Sequence, residues 1–139
     1  VKPYTMDFDV KARDFSSAGE SSSKFRKTLL MLSIPSDIVR RASIAAYEAE
    51  MNIVIHSYGG KMHFEIYSDK ILIIAEDTGP GIKDLELAMK EGYSTAPKEV
   101  IEMGFGAGMG LPNMKRNADN MEIVSHDERG TKIVMTINF

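Results

Sequence analysis

Apolar and polar residues alternate at the start of the chain, with Tyr4, Met6, Phe8 and Val10 set against Thr5, Asp7 and Asp9. That period of two predicts a half-buried strand. The run Ser16-Ser17-Ala18-Gly19-Glu20-Ser21-Ser22-Ser23 is the nearest approach to low complexity. Ala18, Phe25, Leu29 and Leu32 nonetheless recur at helical spacing, so a helix with a frayed start is expected there, not a linker. Pro35 and Ser36 punctuate the chain, and Asp37 suits a first helical turn. From there to about Ser57 the pattern predicts a second, longer helix, with Ile38, Ala42, Ala45, Ala49 and Ile53 along one stripe.

Tyr58-Gly59-Gly60 ends that helix. Met62, Phe64 and Ile66 alternate with Lys61, His63 and Glu65, a strand with one wet face. After the turn Ser68-Asp69-Lys70, the run from Ile71 to Ala75 is apolar on both faces, which predicts a central strand. A short helix is expected around Asp84 to Glu91. The stretch from Gly92 to Gly110 carries five glycines and a proline and has no stable periodicity. A helix from Leu111 to about Asp119 then leads to two last strands, Met121 to Ser125 and Thr131 to Asn138. The order β-α-α-β-β-α-loop-α-β-β predicts an α+β class, a two-layer sandwich with helices on one face of a mixed β-sheet. With no internal repeat or boundary, residues 1–139 read as a single domain.

Composition narrows the partners. A length of 139 residues, 43% of them apolar, is enough for one buried core. The net charge of -3 contains no block of one sign, so no nucleic acid is expected as a partner. The absence of cysteine excludes disulfides, thiol catalysis and zinc-thiolate sites. Ile71 to Ala75, the longest apolar run, falls far short of a membrane span, and Val1-Lys2-Pro3-Tyr4 lacks the apolar stretch of a signal peptide. A cytoplasmic protein without membrane contact is the expectation.

Four stretches carry candidate chemistry. In the long helix, Glu48 and Asn52 are four apart and share a face. A carboxylate there can take a proton from an attacking hydroxyl, and an amide oxygen one turn away can bind Mg²⁺. Glu50 lies roughly 200° round the helix and reads as solvated. Glu76-Asp77-Thr78-Gly79-Pro80-Gly81 follows the most buried strand, which puts a carboxylate at the rim of a pocket. Asp77 can there accept a hydrogen bond from an adenine amino group, while Gly79 and Gly81 leave room for a flat base. A plain turn after a strand has the same composition.

The third stretch is Gly104-Phe105-Gly106-Ala107-Gly108-Met109-Gly110-Leu111, feeding a helix. Its backbone N–H groups can converge on phosphate, with the helix dipole behind them, or the loop can be a simple hinge. It is neither a P-loop, since no Gly-Lys-Ser/Thr follows, nor a Rossmann fingerprint, since the glycine spacing fails at Met109, Leu111 and Asn113. The last stretch is Arg129-Gly130-Thr131, where a Thr hydroxyl can reach a purine edge or merely open a hairpin strand.

Taken together and in this order, these stretches resemble the GHKL superfamily of gyrase, heat-shock protein ninety, MutL and histidine kinases. Glu48 and Asn52 match its N box, with His56 also in a familiar place. Asp77, Gly79 and Gly81 match the first glycine box, Gly106, Gly108 and Gly110 the second, and Gly130 and Thr131 the third. Within the superfamily the chain looks most like the small bacterial serine kinases and anti-sigma factors that regulate sigma factors. Ile73 to Ile82, Glu91 to Thr95 and Gly110 to Arg116 are close to the stressosome switch-kinase pattern. The extra residues Ala96 to Phe105 are more like the anti-sigma branch.

The resemblance implies the Bergerat fold, with ATP and Mg²⁺ as ligands. It implies Glu48 as base, Asn52 as the Mg²⁺ ligand and Asp77 as the reader of adenine. A lid from Ser94 and Thr95 to Gly110 would close over the phosphates, with Gly106, Gly108, Met109, Gly110 and Leu111 lining it and Thr131 at the base. It also implies a partner: a STAS-type anti-anti-sigma protein to phosphorylate, or a sigma factor to sequester. The family often forms homodimers. Lys115 and Arg116 lie near the phosphate loop, as charge neutralisers or as a solvated face. His56 has either a structural hydrogen bond or a lid contact.

Overall fold

The computed structural model of the chain describes residues 2–82, 85–90, 109–126 and 128–139. The described elements run β1 (Tyr4–Val10), α1 (Glu20–Met31), α2 (Ser36–His56), β2 (Gly60–Ile66), β3 (Lys70–Asp77), α3 (Leu85–Ala88), α4 (Gly110–Asn117), β4 (Asn120–His126) and β5 (Gly130–Asn138). The strands form one sheet in the order β1-β2-β3-β5-β4. The α+β sandwich and the central place of β3 hold.

The expectation of a mixed sheet does not, because all four strand pairings are antiparallel. The helical crossover after β3 carries the chain past one vacant position to β4 at the edge. The hairpin that follows returns β5 into that gap, antiparallel to both neighbours. β3 and β4 do run the same way, but they never touch.

One face of the sheet carries Met62, Phe64, Ile71, Ile73, Ile133, Met135 and Ile137, all buried under the helices. α2 contributes Ile38, Ala42, Ala45, Ala49 and Ile53, the stripe expected from the sequence. α1 adds Phe25 and Leu29, and the Phe25 ring stacks on Phe64 with centroids 4.0 Å apart. Each such fully buried side chain stabilises the fold by about 1.5–3 kcal/mol relative to exposure. The opposite face is uncovered by any described helix. Leu72 and Ile74 lie on it, half-buried, paired with Glu65, His63, Thr136 and Val134 across the ladder. β3 is apolar on both sides because it is central, although only one side meets the described helices.

Two details of α1 differ from the sequence reading. Leu32 falls off the helical stripe and is 43% exposed. The helix stops because Ser33 turns left-handed at φ 57, its N–H bonding to the Leu30 carbonyl while Ile34 N–H reaches back to Leu29. This is a Schellman ending with serine in the glycine position. Ala18, for its part, precedes the helix and packs against the core from the loop.

At the other end of the layer, α2 packs against α4. Arg41 of α2 fixes the C-terminus of α4 by donating from Nε to the Asn117 carbonyl at 3.1 Å and pairing with Asp119 at 3.1 Å. A cation at a helix C-terminus also meets its negative dipole end.

Candidate functional site

Glu48 and Asn52 stand on successive turns of α2, both half-buried. Burial pushes the Glu48 carboxyl above the usual carboxylate range, and a hydrogen bond from the Asn113 side chain partly counters it. A Cβ placed on Gly110 would lie 3.5 Å from Glu48 Oε2, so the start of α4 faces this carboxylate. The Asn113 amide is oriented by Arg116, whose Nη1 donates to Asn113 Oδ1 at 3.1 Å and leaves the amide N–H₂ for Glu48. Asn113 escaped the sequence reading, although it lies one turn into the helix that the glycine loop feeds. Lys115 is exposed.

One turn beyond Asn52, His56 is pushed below the ordinary imidazole range by burial and then by the nearby Arg13 charge, so it is neutral at pH 7. Arg13 comes from the loop after β1. Its backbone N–H donates to the Val54 carbonyl at 2.8 Å, near the end of α2.

Asp77 ends β3 and is half-buried. Burial raises its carboxyl pKa, opposed by a hydrogen bond from the Thr131 N–H to Oδ1 at 3.1 Å. Thr131 is buried, and its hydroxyl lies 3.0 Å from Ser125 Oγ, which accepts the Ile82 N–H at 2.6 Å. Asp77, Thr131, Ser125 and the turn after β3 therefore form one connected polar unit. Ser125 gave no signal in the sequence, since only the β4–β5 register sets it opposite Thr131.

Side-chain-free residues flank Asp77 on both neighbouring strands. Gly60 pairs with it on β2, where a Cβ would fall 2.3 Å from the Glu76 carbonyl oxygen. Gly130, at φ +99, would put a Cβ 2.0 Å from the Asp77 carbonyl oxygen. Packing within the chain also calls for small residues at Gly79 and Gly81. A Cβ on Gly79 would press on Ser57 at 3.1 Å, and one on Gly81 would collide with the His126 carbonyl at 2.4 Å.

α2 links the two regions. Its C-terminal end meets the turn after β3, where Tyr58 N–H donates to the Thr78 carbonyl at 2.7 Å, and its middle carries Glu48 to the start of α4. Glu48 and Ser57 are nine residues apart, which is about 14 Å along a helix axis. That is the order of length of an extended nucleoside triphosphate. A half-buried carboxylate at one end and an N-terminal helix turn at the other suit a base and a phosphate group respectively. No cluster of three or more His, Cys, Asp or Glu that could hold a metal ion occurs among the described residues.

Comparison with known proteins decides the family. Residues 37–139 match the model of the histidine kinase-, DNA gyrase B- and HSP90-like ATPases. The chain belongs to this GHKL family. Membership implies ATP binding, and the residue chemistry around Asp77 and α4 fits that ligand.

The chain is 36% identical over 97 residues to the anti-sigma F factor of Clostridium novyi (strain NT), across 66% of this chain and 64% of that protein. It is 34% identical over 95 residues to the anti-sigma F factor of Oceanobacillus iheyensis, across 64% of this chain and 62% of that protein. It is 35% identical over 97 residues to the serine/threonine-protein kinase RsbT of Bacillus subtilis (strain 168), across 67% of each. The chain thus spans somewhat under two thirds of the length of the two anti-sigma F factors.

Of the site residues expected from the sequence, Glu48 and Asn52 lie on α2, Asp77 at the end of β3, Gly79 and Gly81 in the turn after it, Met109, Gly110 and Leu111 at the start of α4 and Thr131 near the start of β5. Ser94, Thr95, Gly106 and Gly108 lie outside the described residues. No described helix is long and apolar enough to cross a membrane.

Proposed function

We propose that this protein is an ATP-dependent serine/threonine protein kinase of a sigma-factor or stress-signalling pathway, and that it phosphorylates a STAS-type anti-anti-sigma protein. The observation that carries the reading is Glu48, a half-buried carboxylate held by Asn113 beside the first turn of α4. Nucleotide binding alone does not call for an acid there. A base does, because the attacking serine must lose its proton as the new O–P bond forms.

In this reading Glu48 takes the hydroxyl proton, and the raised pKa makes it a better proton acceptor than an exposed glutamate once it is ionised. The N–H groups at the start of α4 offset phosphate charge. Asn52 supplies an amide oxygen for Mg²⁺, and Asp77 accepts from the adenine amino group. Bound Mg·ATP supplies the phosphoryl group. Positioning and charge neutralisation supply most of the rate in phosphoryl transfer, so this short set of groups is chemically sufficient. The lid of Ser94, Thr95, Gly106 and Gly108 over the phosphates belongs to the same proposal. So do residues 1–139 as a single domain and a cytoplasmic location.

The test is labelled Mg·ATP with STAS proteins of the same genome. Glu48→Gln is expected to lower transfer at least a hundredfold while the ATP dissociation constant stays within a few-fold of the parent. Transfer by the variant at the parental rate would remove Glu48 from the chemistry. A second reading rests on the names of two relatives, the anti-sigma F factors of Clostridium novyi and Oceanobacillus iheyensis. Here the chain sequesters a sigma factor in its ATP-bound state. Nucleotide-dependent capture of a sigma factor without label transfer to any STAS protein favours that reading.

A further inference from the structure

Leu30, Met31 and Leu32 are 50%, 83% and 43% exposed, three consecutive apolar side chains at the corner between α1 and α2. Single exposed apolar residues are ordinary, but a contiguous group marks a contact surface. Tyr4, also exposed, belongs to the same end of the molecule. Lys24 lies over the Phe8 ring and Phe25 over Phe64, the strand partner of Met6, so α1 runs along β1 towards Tyr4. The corner is held out by its anchors. At the start of α1, Glu50 accepts from Gly19 N–H at 2.9 Å, from Ser22 N–H at 3.0 Å and from the Ser22 hydroxyl. Far from being solvated, as the helical wheel implied, Glu50 caps α1 from α2. At the other end, left-handed Ser33 reverses the chain directly after the exposed triplet.

Charge distinguishes this corner from the rest of the surface. Between Ser23 and Arg40 the chain carries Lys24, Arg26, Lys27 and Arg40 against one carboxylate, Asp37. The whole protein has a net charge of -3, so the helical hairpin is a basic island. Arg26, Lys27 and Arg40 are exposed, and none is ion-paired within the described residues. Arg26 and Lys27 stand one turn behind Leu30 and Met31, and Arg40 stands one turn into α2. One turn is about 5.4 Å, within the ~5–10 Å to which apolar groups enter the headgroup–acyl boundary of a bilayer.

Consecutive helical residues project about 100° apart, so the triplet surrounds the helix end and does not share one face. A rigid groove covers one side of such a tip, whereas a fluid lipid layer wets all of it. We propose that the α1–α2 corner docks this protein peripherally on an anionic lipid surface. Leu30, Met31 and Leu32 enter the headgroup region while Arg26, Lys27 and Arg40 meet lipid phosphates. Three apolar residues are far too few to span a bilayer. Apolar run length in the sequence therefore pointed to no membrane contact. Glu48 is twelve residues along α2 from Ser36, about 18 Å by helical rise, so its face stays clear of the lipid.

The chain contains no tryptophan, so Met31→Trp places a single emission reporter at the tip. Tyr58→Trp, exposed beyond the opposite end of α2, is the control. The full chain is titrated with vesicles of phosphatidylcholine alone, and of equal parts phosphatidylcholine and phosphatidylglycerol. A saturable blue shift of Met31→Trp is expected with the anionic vesicles and not with the neutral ones. Tyr58→Trp should shift with neither. Cosedimentation of the parent protein with anionic vesicles should weaken as salt is added. It should weaken about tenfold or more in Arg26→Gln/Lys27→Gln, and comparably in Met31→Asp. All three positions are exposed, so fold and ATP affinity are retained. A blue shift that grows with protein concentration without vesicles would assign the tip to a second copy of this chain. A shift with polyglutamate and not with vesicles would assign it to an acidic protein segment. Either result, absence of anionic-vesicle binding, or binding unmoved by both variants would overturn the proposal.

Discussion

At the scale of single residues, burial sets the chemistry. Asp77 and Glu48 are ordinary carboxyls made unusual by loss of water, each pushed upward in pKa and each held by one donor, Thr131 N–H or the Asn113 amide. A carboxyl whose folded pKa lies above its unfolded value favours the fold only while protonated. That favour is lost as pH rises through the unfolded value towards the folded one. At neutral pH both groups therefore weigh against stability, a common mark of groups kept for function. Asp77→Asn should leave the melting temperature of the nucleotide-free protein unchanged or higher, while ATP affinity falls at least tenfold, as for loss of a charged acceptor. Calorimetric titration with ATP and GTP checks this, and parental ATP affinity in the variant would remove Asp77 from the base site. The sequence made Asp77 and Glu48 legible because strand end and helical spacing fix where they point. It left Asn113, Ser125 and Gly60 unread, because each matters only through a neighbour distant in sequence.

At the scale of elements, α1 depends on contacts its own sequence does not contain. Its N-terminus is capped by Glu50 from 28 residues away, and its C-terminus closes on a left-handed serine. Glu50→Ala strands two backbone N–H groups and a hydroxyl. It should cost about 2–4 kcal/mol and speed hydrogen exchange through α1 ahead of the sheet, which exchange mass spectrometry resolves. Ser33→Gly acts the other way. It relieves a left-handed conformation that costs an L-residue about 1–2 kcal/mol, offset in part by the greater freedom of glycine in the unfolded chain. A gain of up to about 1 kcal/mol is expected from chemical denaturation. Glu50 read as solvated in the sequence because a helical wheel knows only the direction of a side chain. Whether water or another helix lies that way depends on how α1 docks.

Across the whole molecule, two histidines give stability opposite pH dependences. His56 is depressed by burial and by Arg13, so the unfolded chain binds its proton more tightly. Stability from this residue falls as pH drops below about 6.5. His63 sits on the uncovered sheet face. Burial lowers its pKa, but hydrogen bonds and charge from Asp7 and Glu65 outweigh it and the net shift is upward. Its contribution is complete below about 6.5 and is lost as pH rises through the folded value. His56→Gln should flatten the loss of stability on acidification from pH 7 to 5.5, and His63→Gln should steepen it. Urea midpoints measured across that range test both signs.

The sequence by itself determined the element order, the core stripe of α2, the central place of β3 and the motif set that marks an ATP-binding family. All of these follow from local periodicity and from residue types at fixed spacing, which survive without knowledge of what packs on what. Tertiary structure alone decided that the sheet is antiparallel throughout, that Gly60 and Gly130 must lack side chains to sit against the end of β3, and that Glu50 is a buried cap and not a surface charge. Those outcomes depend on which elements become neighbours, and that is fixed only when the helices close over one face of the sheet.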